Sequence, residues 1–112
     1  MEELISTEVT MFEDTRTISN HKERPVPACF EPWATMHDLL PAQSIRVIAR
    51  SKVEGQLDVV HEDDRITVYG WPGCTLMVFS DDELLLECQN PVPELPQGMS
   101  VRFFFKILRW SE

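Results

Sequence analysis

Three histidines, three cysteines and two runs of carboxylates are the residues of this chain with chemistry to offer. The carboxylates fall as Glu62-Asp63-Asp64 and Asp81-Asp82-Glu83, with His61 beside the first run and His37-Asp38 upstream. Carboxylate and imidazole together can hold a divalent ion, because acidic oxygens suit hard cations and imidazole suits transition metals. No HxH, HExxH or DxDxDG spacing accompanies them. Asp also favours turns for its own backbone bonding, so such runs arise without any ligand. Cys29, Cys74 and Cys88 make an odd set with no CxxC pair. That excludes a zinc-type pattern and a complete disulfide framework within one chain. Three buried, reduced thiols are expected. Nucleophilic catalysis needs a nucleophile, a base and an orienting group together. No GxSxG elbow or glycine-rich phosphate loop supplies one, and nothing selects a carboxylate pair for glycoside chemistry. His21 sits in a polar stretch and is expected to be exposed and inert. The sequence calls for no cofactor and favours a non-enzymatic protein.

The elements that must position these groups are mostly strands. Arg65 to Phe79 reads as two strands around Trp71-Pro72-Gly73, where proline presets φ and glycine accepts a positive φ. β-Branched and aromatic residues fill both sides of the turn. Further strands are expected at Ser44–Arg50, Gln56–His61, Glu83–Cys88 and Met99–Trp110. In Glu83–Cys88, Leu84 and Leu86 are expected on one face against Glu83, Leu85 and Glu87. Pro25, Pro27 and Pro32 argue for extended loop before residue 33, since proline removes backbone donors. Leu4–Phe12 fits a strand or a short amphipathic helix. Pro32–Pro41 fits one helical turn near residues 33–40, with Trp33, Met36, Leu39 and Leu40 on its apolar side. Short strands at spacings of about ten residues predict an all-β sandwich or barrel-like antiparallel meander of about six or seven strands. It forms one domain over 1–112, with an irregular segment over 1–43 packed on a meander over 44–110. Apolar residues on both faces of the central strands predict that both faces are covered.

In a meander the turns Glu62-Asp63-Asp64 and Asp81-Asp82-Glu83 share one end, roughly 10 Å apart. The start of the Ser44 strand lies there too, with His37 and Asp38 nearby. Trp71, the Ser51–Gly55 loop with Lys52 and the proline-rich Gln89–Gly98 loop lie at the other end. An exposed Trp71 would anchor a partner, since tryptophan contributes large area at low entropy cost. A buried Trp71 would cap the core.

The chain has 112 residues and a formal charge of −9, from 19 acidic and 10 basic side chains. That size holds one modest core. The charge argues against binding nucleic acid or anionic membranes, and it suits a basic protein partner. The acidic N-terminus and the lack of a long apolar run predict a soluble cytoplasmic protein. The leading expectation is a small acidic module that binds a basic protein through Glu62, Asp63, Asp64, Asp81, Asp82, Glu83 and Trp71. It would work as an inhibitor or immunity-type neutraliser of a nuclease or toxin. One alternative is a metal or small-molecule site built from His37, His61 and nearby carboxylates. Another is an assembly subunit, such as a homodimer, pairing through strand 99–110.

Overall fold

The computed structural model describes residues 11–95 and 99–104. Eight strands build a two-layer sandwich: β1 (Phe12–Ser19), β2 (Val26–Glu31), β3 (Thr35–Leu39), β4 (Ser44–Ser51), β5 (Asp58–His61), β6 (Ile66–Tyr69), β7 (Thr75–Ser80) and β8 (Glu83–Cys88). The front sheet has the order β1-β4-β7-β8 and is antiparallel throughout. The back sheet has the order β3-β2-β6-β5, with β2 and β6 parallel. The all-β sandwich expectation holds. The simple meander does not, because β6 and β7 lie in different sheets.

Alternation sets the core. Ile45, Val47 and Ala49 of β4 point inward, while Ser44, Arg46 and Arg50 stay wet. Ile18, Leu76, Val78 and Cys88 join them from the front sheet. Val26, Ala28, Phe30, Leu39, Ile66 and Val68 face them from the back sheet. Each large aliphatic side chain buried this way contributes about 1.5–3 kcal/mol. All four residues of β6 are buried, as expected for a strand covered on both faces. The two faces of the sandwich meet at their flanks. On one flank the Asp14 carboxylate accepts the Leu57 N–H at 2.9 Å and Arg16 donates to the Leu57 carbonyl at 3.1 Å. On the other, Trp33 Nε1 donates to the Asn90 carbonyl at 2.6 Å and the Cys88 thiol meets the Thr35 side chain.

Residues 12–39 depart most from the sequence reading. Three strands replace the irregular segment expected up to residue 43. Pro27 is tolerated inside β2 because the ladder to β6 begins only at Ala28, so no bond is lost on that side. The helical turn expected near residues 33–40 is instead the turn Pro32–Ala34 and strand β3. The Glu31–Pro32 bond is cis, Ala34 has φ of 59°, and the Glu31 carboxylate accepts the Ala34 N–H. Thr35, His37 and Leu39 then pair with Phe30, Ala28 and Val26.

Helix appears at residues 101–104, where a strand was expected. Ser100 starts this turn as an N-cap: its hydroxyl accepts the Phe103 N–H at 3.1 Å, and its carbonyl accepts that of Phe104 at 2.9 Å. Arg102 reaches Asp58 at 3.5 Å, which fixes the turn beside β5. The expected Leu4–Phe12 element, apart from its last two residues, and the strand beyond Phe104 lie outside the described residues.

Candidate functional site

Strand directions assign every loop to an end of the sandwich. One end carries the β1–β2 loop, the β3–β4 turn, the β5–β6 turn and the β7–β8 turn. Both carboxylate runs are therefore at this end. The reason differs from a meander: Trp71-Pro72-Gly73 reverses the chain by arching from one sheet to the other. The Cys74 N–H closes the arch on the Trp71 carbonyl at 3.0 Å, and Gly73 has φ of 86°.

The two runs share an end but not a corner. The β5–β6 turn lies on the flank stitched by Leu57, and the β7–β8 turn lies toward the flank of β3. Strand and sheet spacings put them roughly 14 Å apart. The β1–β2 loop crosses between the sheets at this end, and it is basic. Lys22 Nζ lies 3.7 Å from the Asp63 carboxylate, and Arg24 Nη2 donates to the Asp63 carbonyl at 2.9 Å. Arg65 lies 3.9 Å from Asp64. These exposed pairs add little stability, but they partly offset the charge that Glu62, Asp63 and Asp64 present. No described residue pairs with Asp81, Asp82 or Glu83. That tight turn, with Asp81 at φ of 53°, carries three exposed carboxylates with no ion pair among the described residues.

Asn20 holds the crossing loop in place. Only 2 % of it is exposed. Its amide donates to the carbonyls of Arg24 at 2.8 Å and Leu39 at 2.9 Å, and its side-chain oxygen accepts the Lys22 N–H at 2.8 Å. Its backbone pairs with Ala42 and Gln43 of the β3–β4 turn. Between loop and β5–β6 turn lies a cleft of about 300 Å³, walled by His21, Lys22, His61 and Glu62 over Val26 and Ile66. Sequence reasoning treated His21 as isolated and passed over Asn20, Lys22 and Arg24. Arg24 finds its partner 39 residues away and Lys22 reaches the same Asp63, so no local pattern announces them.

His37 and His61 do not meet. They sit in one register row across the back sheet, with Ala28 and Ile66 between them. Three strand spacings separate their backbones by roughly 14 Å, too far to share one ion. No group of three His, Cys, Asp or Glu able to hold a metal occurs among the described residues. The Nε2 atom of His37 is buried without a hydrogen-bond partner among the described residues.

Trp71 lies at the opposite end and is 6 % exposed. Its indole N–H donates to the Val53 carbonyl at 2.7 Å, and its ring lies flat on Gly55, where a Cβ would overlap it. It caps the core, which corrects its placing among surface anchors. Trp33 covers Gly70 in the same manner. Cys74 accepts the Trp71 N–H at 3.3 Å, and burial pushes its thiol up to about 11. Burial raises Cys29 and Cys88 as well. Thiols held protonated in this way are poor nucleophiles. No helix among the described residues is long and apolar enough to cross a membrane. Comparison with protein-family models, curated proteins and solved structures yields no match for this chain, so geometry carries the functional reading.

Proposed function

We propose that the protein is a small acidic binding module that docks on a basic protein surface through its Asp81-Asp82-Glu83 corner. The observation that supports this reading is the contrast between the two carboxylate runs. One is partly neutralised by Lys22, Arg24 and Arg65, and the other stands exposed with no ion pair among the described residues. An uncompensated charge at the tip of a rigid two-strand turn costs folding energy and gains nothing inside the chain. Facing a cation on a partner, it would speed encounter and set register. Glu62, Asp63 and Asp64 then contribute a weaker, wider field. Neutralisation of a basic enzyme such as a nuclease or toxin fits this chemistry, because the active cleft of such an enzyme is itself basic. The three buried, unpaired thiols accord with a reducing compartment such as the cytoplasm.

Quantitative pull-down from the native source, run in parallel with the wild-type protein, Asp81→Lys/Asp82→Lys and Asp63→Lys/Asp64→Lys, tests the reading. The first double variant is expected to lose a basic partner that the second retains in part. A basic partner held equally by all three proteins would rule the corner out as the interface.

A further inference from the structure

The same corner leads into an open sheet edge. The β1 and β5 edges are closed on each other through Asp14, Arg16 and Leu57. β8 has β7 on one side, and among the described residues no strand is hydrogen-bonded along its other side, where the Cys88 thiol at its far end meets the Thr35 side chain of β3. No further backbone bond to Glu83–Cys88 occurs among the described residues. Such an edge is a template for another strand, and native proteins usually blunt it. Here the bulge between Val78 and Phe79 leaves Leu85 out of register and sends Leu84 outward beside Phe79. Leu84 is consequently 44 % exposed, between Asp82 and Glu83 on one side and Glu87 on the other.

We infer that β8 accepts a strand from the basic partner, one whose side chains alternate basic and apolar residues. The inference rests on the reading of the acidic corner given above. The charges favour this occupant over a second copy of the chain in the registers that centre on the strand or lie toward the turn. Two β8 strands paired antiparallel about Leu85 would set Glu83 opposite Glu87. Sliding that pair toward the turn would set Glu87 against Asp82 or Asp81. Like charges directly opposite destabilise a strand pair, and Lys or Arg at the same positions stabilises it. Backbone bonds to β8 would supply affinity, and an apolar side chain beside Leu84 and Phe79 would supply register. Arg46, stacked 5.2 Å from the Phe79 ring centroid, bounds the patch on the outer face of the front sheet.

The test uses the full chain and a synthetic strand peptide of alternating Lys and Val, at physiological salt. A second peptide has the same sequence with N-methyl groups along its pairing edge. Amide exchange and affinity are both measured. The unmodified peptide is expected to slow exchange across Glu83–Glu87 at least about tenfold. The methylated peptide is expected to bind at least about tenfold more weakly. Asp81→Lys/Asp82→Lys is expected to weaken the unmodified peptide by a similar factor. Equal binding of the two peptides, or no binding of either, overturns strand addition. Equal binding with a retained dependence on Asp81 and Asp82 leaves the acidic corner standing. Binding indifferent to the double substitution removes the corner itself. Concentration-dependent dimerisation with slowed exchange at β8 would assign the edge to a second copy and overturn the proposal.

Discussion

Asn20→Ala removes the buried side chain that ties the crossing loop to the rest of the sandwich, and its cost can be worked out bond by bond. The bond to the Leu39 carbonyl is buried, and leaving that carbonyl unpaired costs about 1–3 kcal/mol. The bonds to Arg24 and Lys22 are part-buried. Water can replace them in part, so each is worth about 0.5–1.5 kcal/mol. The sum is about 2–6 kcal/mol, centred near 4, a large share of the 5–15 kcal/mol that holds a typical domain. Urea denaturation followed by tryptophan fluorescence should show a midpoint lower by about 2 M with an unchanged slope. Asn20→Asp keeps the shape but turns a carboxylate toward two carbonyls, so it should be the worse variant at neutral pH. Its folded-state pKa must then lie above the unfolded value. By linkage, the folded state gains stability relative to wild type as pH falls from neutral toward about 4, where the group takes up a proton. A loss under about 1 kcal/mol for Asn20→Ala, or an Asn20→Asp protein as stable as wild type at pH 7, would refute the hub.

Three further outcomes are expected. Asp14→Ala leaves the Leu57 N–H unpaired and frees Arg16, so thermal unfolding should register a loss of about 2 kcal/mol, with exchange at Leu57 rising before that of β4. Gly55→Ala drives a methyl group into the Trp71 ring; a loss of about 2–3 kcal/mol with red-shifted tryptophan emission is expected, and an unchanged spectrum would contradict the packing. The Cys74 thiol is raised from 9.0 to about 11 by burial. Unfolded chains therefore release this proton first, and stability should decline as pH climbs from about 9 to about 11. Cys74→Ala should show less of that decline in parallel denaturation curves, and identical slopes would count against a buried, protonated thiol.

The strands from Ser44 to Cys88 were legible because their apolar residues alternate and their turns carry Asp, Pro or Gly. Boundaries fell within a residue or two of β4, β6, β7 and β8. The ends of the sandwich were legible too, since a hairpin and an arch both reverse the chain. Which sheet each strand joins was not, because nothing in Trp71-Pro72-Gly73 tells an arch from a hairpin. Thr35–Leu39 satisfies a period of two through Thr35, His37 and Leu39, and a helical period through Trp33, Met36 and Leu39. Only pairing with β2 decides between them. Leu84 and Leu86 were expected on one face, but the bulge puts them on opposite faces. At residues 101–104 the alternation of Val101 and Phe103 reads as strand, whereas in the fold Ser100 caps a helical turn. At the candidate site the carboxylates were visible in the sequence. Their neutralisation was not, because Lys22 and Arg24 reach Asp63 only after two sheets have assembled.

The interleaving of the strands also governs how the chain can fold. The front sheet draws on the first, fourth, seventh and eighth strands, and the back sheet on those between. Three neighbouring pairs, β2–β3, β5–β6 and β7–β8, are hairpins that can form early from nearby residues. The pairs that join them, β1–β4, β4–β7 and β2–β6, close long loops and must wait for the hairpins to meet. Folding on the slower, millisecond-to-second scale of sandwiches follows. A ribosome-bound chain cannot complete either sheet until β6 has emerged, and β8 adds last. The open edge is therefore the last of the described strands to be laid down, and it is complete only on a chain that has already folded.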